Sequence, residues 1–149
     1  SRHPLADAKV RQPATDLDTL RRRATLLWNG QPVHLSALHP MPPISSAFAQ
    51  ARDKALENEA RHLAQAGGLS VMAGDLNTTP WARGLWGAEQ AQMRRAGPGV
   101  PTWPNAWGWL SVLPLDHVLA SPGWQLVEAH TGPDLGSDHR PMVVRLVAR

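Results

Sequence analysis

Leu69-Ser70-Val71-Met72-Ala73-Gly74-Asp75-Leu76-Asn77 is the stretch whose reading decides the fold. Its first five residues form a short apolar run suited to a buried strand. Its last four place a carboxylate and an amide where that strand runs into turn chemistry. Immediately upstream, Gly67-Gly68 stops a predicted helix that is capped by Ser45 or Ser46 and runs to about residue 66. Phe48, Ala55, Leu56 and Leu63 lie on its apolar side. Before the helix, His39-Pro40-Met41-Pro42-Pro43 must be a loop leaving a strand end, because prolines fix φ and remove donors. Residues 25–38 read as two short strands around Asn29-Gly30, a strong hairpin signal. Downstream, a short helix is expected over about residues 80–95, with Pro80 acceptable in its first turn. A long loop rich in Pro, Gly and Trp follows over 96–114. Strands are then expected at 115–120, 125–130 and 142–147, with the turn-rich stretch 132–139 between the last two.

Composition narrows the classes. With 149 residues and 42% hydrophobic content, the chain can form one domain with a core of its own. No stretch reaches the roughly 18 to 20 apolar residues of a membrane span, and Ser1-Arg2-His3-Pro4 does not open a signal peptide. There is no cysteine, so disulfide frameworks and thiolate metal sites are excluded and any metal must sit on oxygen or imidazole. The formal charge of +3 suits an anionic substrate and equally an ordinary soluble domain, since Arg21-Arg22-Arg23 and Arg94-Arg95 are the densest basic runs.

The acidic and histidine residues that stand out all fall where a predicted strand meets a loop, so they can converge on one rim of a sheet. They lie in Ala37-Leu38-His39-Pro40, Gly74-Asp75-Leu76-Asn77, Leu115-Asp116-His117-Val118 and Gly136-Ser137-Asp138-His139-Arg140-Pro141. Phosphate-ester hydrolysis needs a base to activate water, a divalent cation to neutralise charge, and donors aimed at phosphate oxygens. Carboxylates, an amide and imidazoles supply that set, and Mg²⁺ prefers a few carboxylates plus water.

Taken together, these stretches resemble the endonuclease/exonuclease/phosphatase family, which includes pancreatic-type deoxyribonuclease, abasic-site endonucleases, sphingomyelinases and inositol phosphatases. Its G-D-x-N strand end and terminal S-D-H-x-P stand here at Gly74 to Asn77 and Ser137 to Pro141, about 60 residues apart. The resemblance spans nearly the whole chain. It implies an α/β (α+β) fold, a portion of the four-layer sandwich of the deoxyribonuclease-I-like type, with mostly antiparallel or mixed sheets and flanking helices. Residues 1–149 would be the C-terminal portion of a single such domain. It implies Mg²⁺- or Mn²⁺-dependent hydrolysis of a phosphodiester or phosphomonoester, nucleic acid being one class of partner.

The family's roles carry over position by position. His139 resembles the histidine that takes a proton from the attacking water. Asp116 resembles the carboxylate that orients that imidazole, and Asp138 resembles a metal ligand. Asp75 and Asn77 resemble the pair that positions water or the scissile phosphate. His39 resembles a histidine that contacts the phosphate or assists the leaving group. Plainer roles stand beside these: a capped turn at Asp138-His139, an Asx-turn at Asp75 and Asn77, an edge-strand surface acid at Asp116, and a simple turn at His39. His117 should point to the opposite sheet face from Asp116. Trp103, Trp107 and Trp109 are either aromatic faces beside a substrate cleft or loop-packing anchors. No residue here matches the asparagine and glutamate that the family's first half supplies, and Glu57, Glu59, Glu89 and Glu128 follow the wrong landmarks. The expectation is therefore an incomplete metal site, a chain that is inactive or weakly active alone, and an exposed sheet edge open to a homodimer. The alternative is a non-catalytic interaction module that keeps the fold.

Overall fold

The computed structural model describes residues 3–106 and 112–149; Trp107 and Trp109 lie outside them. Strands β1 (Leu5–Arg11), β2 (Leu20–Trp28) and β3 (Gln31–His39) lead into helix α1 (Ser46–Ala66) and strand β4 (Leu69–Asp75). A 3₁₀ turn (Arg83–Leu85), helix α2 (Trp86–Gln90), and strands β5 (Arg94–Arg95), β6 (Asp116–Ala120), β7 (Trp124–Thr131) and β8 (Met142–Ala148) complete the chain. Six strands form a mixed sheet in the order β1-β2-β3-β4-β6-β5, and β7 pairs with β8 in a second sheet. Among the described residues only β3 and β4 run parallel, joined through the crossover helix α1.

The hairpin turns where Asn29 and Gly30 both take positive φ (52° and 76°), the conformation a two-residue turn with the strands' own twist demands. Ser45 caps α1 by accepting from Phe48 N–H at 3.3 Å, and Gly67 ends it at φ 72°. Arg52, Leu56, Glu59, Ala60 and Leu63 form the buried stripe of α1, at helical spacing. That stripe packs on Leu38, Met72 and Leu119 of the large sheet, with Leu76, Leu85, Ala88 and Met93 completing the core.

Three features depart from the sequence expectation. Strand β1 was not foreseen, and β2 starts at Leu20 rather than near residue 25. The basic run at Arg21 to Arg23 can be strand because Arg21 and Arg23 both reach the buried carboxylate of Glu59. The helix expected over 80–95 shrinks to α2 and its preceding 3₁₀ turn. Gly84 and Gly87 weaken a helix there, Gln92 takes φ 65°, and Met93 turns into the core so that Arg94–Arg95 can pair with β6.

Strand alternation sorts the sheet's two faces. Ser36, Leu38, Ser70, Met72, His117 and Leu119 turn toward α1 and are all buried. On the other face, Leu5, Val10, Ala24, Leu35, Ala37, Val71 and Ala73 line an apolar groove of about 400 Å³. No helix among the described residues is long and apolar enough to cross a membrane.

Candidate active site

His39, Asp75 and Asp116 end or begin three neighbouring strands at one rim. Asp75 pairs in register with Asp116, and both side chains stand on the sheet face away from α1. The loop between β7 and β8 comes over this face and delivers Asp138 and His139. All six residues singled out in the sequence, His39, Asp75, Asn77, Asp116, Asp138 and His139, line one cavity of about 690 Å³, together with Pro42, Trp103 and Leu115.

The centre of the cavity is a dyad. His139 Nδ1 lies 2.7 Å from Asp116 Oδ2, a charge-assisted bond that leaves Nε2 facing the cavity, 3.7 Å from Asp75 Oδ2. His39 Nδ1 stands 3.7 Å from the same Asp75 oxygen, with most of its ring exposed. Burial works against a charged His139, but its hydrogen bond to Asp116, with the charges of Asp116, Asp75 and Asp138, raises its pKa above the ordinary histidine value. Asp75 is also raised, first by burial and then by the like charge of Asp116. The Asn77 N–H and the two histidines pull the other way.

The two oxygens of Asp75 serve different partners. Oδ1 accepts from Asn77 N–H at 2.9 Å, which is an Asx-turn, while Oδ2 faces the histidines. The turn and the site are therefore one construction. Asn77 sits at φ 48° and donates Nδ2–H to Pro40 O at 2.9 Å, tying the β4 exit to the β3 exit beside His39. Gly74 makes this approach possible: it has φ +150°, and a Cβ on it would lie 2.0 Å from Leu38 O.

Sequence reading passed over several supports. Arg52, buried on α1, donates Nη1–H to Asn77 O at 2.7 Å. His117 turns away from Asp116 and its Nε2 lies 2.8 Å from Thr78 O; burial lowers its pKa, so it donates as a neutral ring. Thr102 and Asn105, in the loop before β6, bond to both Asp116 and the His139 loop. No local motif marks these residues, because their partners lie 14 to 39 residues away.

The donors fit a hydrated hard cation better than a protein-only cage. Asp75, Asp116 and Asp138 share the cavity, yet among the described residues no group of three or more acid or histidine side chains is close enough to grip a metal ion alone. Carboxylate oxygens of this kind suit a hard divalent cation. Glu57, Glu89 and Glu128 are paired with Arg61, Arg95 and Arg145, and Glu59 with Arg21 and Arg23, away from the cavity.

A sequence model of the Endonuclease/Exonuclease/phosphatase family matches residues 1–139. No curated protein matches the chain. Among solved structures, an endonuclease/exonuclease/phosphatase from Beutenbergia cavernae superposes with a TM-score of 0.73 at 23% identity, over 99% of this chain and 46% of its own. Humanized D. rerio TDP2 superposes at 0.70 with 16% identity, over 97% of this chain and 67% of its own. A mannosyl-6-phosphatase from Bacteroides thetaiotaomicron superposes at 0.67 with 14% identity, over 87% of this chain and 57% of its own. The chain thus spans about half the length of the first and about two thirds of the second.

Proposed function

Since the chain belongs to the endonuclease/exonuclease/phosphatase family, a family of phosphoric ester hydrolases, we propose that its domain hydrolyses a phosphodiester or phosphomonoester with Mg²⁺ or Mn²⁺. The observation that carries this reading is the 2.7 Å pairing of His139 with Asp116, with Nε2 turned into a cavity lined by further acids. Asp116 fixes the tautomer with the proton on Nδ1, so Nε2 is the basic nitrogen that takes a proton from the attacking water. Asp75 Oδ2, 3.7 Å from Nε2, accepts a hydrogen bond from that same water and orients it. Asn77 and His39 border the phosphate: Asn77 as an amide, His39 as a ring able to donate to a phosphate oxygen or the leaving group. Asp138 would hold the cation, directly or through water, with Asp75 beside it. When bound, the cation supplies charge neutralisation at the phosphate. Trp103 adds an aromatic wall to the cavity, suited to an organic group next to the phosphate.

The 149-residue chain alone is proposed to be weakly active at most, because the relatives it matches carry additional chain and, among the described residues, no group of three acid or histidine side chains is placed to hold a cation. A homodimer through an edge of the large sheet has thin support. β1 has a bulge between Ala6 and Lys9, and β5 is two arginines long, both features that blunt an edge. The interaction-module alternative leaves the completed dyad without a purpose.

The test is hydrolysis of bis(p-nitrophenyl) phosphate and p-nitrophenyl phosphate with Mg²⁺ or Mn²⁺. It is run on the 149-residue chain and on the longest protein that contains it. His139→Ala should lower the metal-dependent rate by about 10²- to 10⁴-fold. An unchanged rate sinks the assignment.

A further inference from the structure

We propose that Asn105 is a positioning residue that holds His139 in register with Asp116, an inference that rests on the reading of that dyad given above. The two partners stand on separate sheets. Asp116 opens β6 of the six-stranded sheet, whereas His139 lies in the loop that joins β7 to β8. No strand ladder among the described residues links the two sheets, so the 2.7 Å bond needs another source of alignment.

The loop segment Thr102 to Asn105 supplies it, by bonding to both sides. Toward the large sheet, Thr102 Oγ1 accepts from the N–H of Leu115 and of Asp116, each at 3.4 Å. Toward the other side, Thr102 O accepts from Arg140 N–H at 2.8 Å, and Asn105 N–H donates to Asp138 O at 2.7 Å. The Asn105 side chain then completes the grip. Its Nδ2 donates to Ser137 O and to Asp134 Oδ1, both at 2.8 Å, and its Oδ1 accepts from Arg140 Nε at 3.2 Å. Asn105 thereby holds the chain immediately before His139 and immediately after it.

An amide is the side chain this position calls for. It must give two hydrogen bonds from one end and take one at the other, which neither a carboxylate nor an aliphatic group can do. Asn105 is itself buried, but Asp134, Ser137 and Asp138 are exposed, so water can satisfy those groups if the amide is lost. Loss of the amide therefore costs order at His139 and leaves the core intact. That separates a positioning role from a merely structural one.

The test reads the dyad directly by NMR of the ¹⁵N-histidine-labelled protein without metal. A ring N–H held in a short bond to a carboxylate gives a downfield, slowly exchanging proton signal. The wild-type chain should show it, and Asp116→Asn should abolish it, which assigns it to the dyad. Asn105→Ala should speed its exchange about fivefold or more, the factor corresponding to one hydrogen bond of ordinary strength, while circular dichroism and cooperative melting persist. Asn105→Asp, nearly isosteric and less prone to leave a void, should do the same, since it keeps the acceptor for Arg140 and loses both donors. If the wild type lacks the signal, the dyad reading itself fails. If the signal is present and assigned, but survives either Asn105 variant with unchanged exchange, the positioning inference is overturned.

Discussion

Glu59 and the rim acids Asp75 and Asp116 border the same sheet, and the two clusters are finished to opposite degrees. Glu59 is fully buried against β2 and β3 and accepts three hydrogen bonds, with a further guanidinium at ion-pair distance. Arg23 donates to both of its oxygens at 2.8 and 2.6 Å, Ser36 Oγ donates at 2.7 Å, and Arg21 Nε lies at 3.1 Å. Burial alone would raise its pKa, yet the hydrogen bonds from Arg23 and Ser36 and the charges of Arg21 and Arg23 hold it below the usual glutamate value. At the rim the balance reverses. Asp75 is pushed up by burial and by Asp116, and its histidine partners stay at 3.7 Å. A closed set of charges fixes strands in place. An unfinished set beside a cavity keeps lone pairs and a basic nitrogen available for a substrate, at the expense of local stability.

Substitution can break this contrast. Glu59→Gln should destabilise the chain by about 1.5–3 kcal/mol in urea unfolding, because it weakens the charged hydrogen bonds from Arg23 and strips the counter-charge from two half-buried arginines. A loss under about 1 kcal/mol would show that Glu59 is no more structural than the rim. Asp75→Asn should go the other way, neutral or stabilising by up to about 1 kcal/mol, since it removes a carboxylate whose ionised form is disfavoured while keeping the acceptor for Asn77 N–H. A clear destabilisation there would mean the rim is as complete as the interior.

The smallest effects sharpen the same contrast through pH, in metal-free protein. Glu59 has a folded pKa below the ordinary glutamate value of 4.5, so its contribution is present above that pH and is lost as pH falls through the folded value. Asp75 is raised above 3.8, so its contribution is present below that pH and is lost as pH rises through the folded value. The stability gap between wild type and Glu59→Gln should therefore narrow in acid. The advantage of Asp75→Asn should also shrink there and widen as pH rises. Denaturation midpoints between about pH 3 and pH 7 check both signs.

Much of the candidate site was legible because it is built from strand ends with turn chemistry. His39 before Pro40, Asp75 and Asn77 after Gly74, Asp116 after Pro114-Leu115, and Asp138-His139 after Gly136 each carry a local signal. Their convergence on one cavity follows from parity, since His39, Asp75 and Asp116 share a sheet face while His117 takes the other. What stayed hidden depends on distant partners. The start of β2 needed Glu59, 36 residues beyond Arg23. The early end of α2 needed the pairing of Arg94–Arg95 with β6, and the value of Asn105 needed a loop 29 to 35 residues further on.

The close approach at Gly74 has a consequence for anyone diversifying this protein. The separation between the β3 exit and the β4 exit, and with it the reach from His39 to Asp75, is written in an atom that is not there. A library randomised at codon 74 and sorted for folded protein should return glycine almost alone. That makes the position an internal calibrant, against which the permissiveness of every other codon in the experiment can be read.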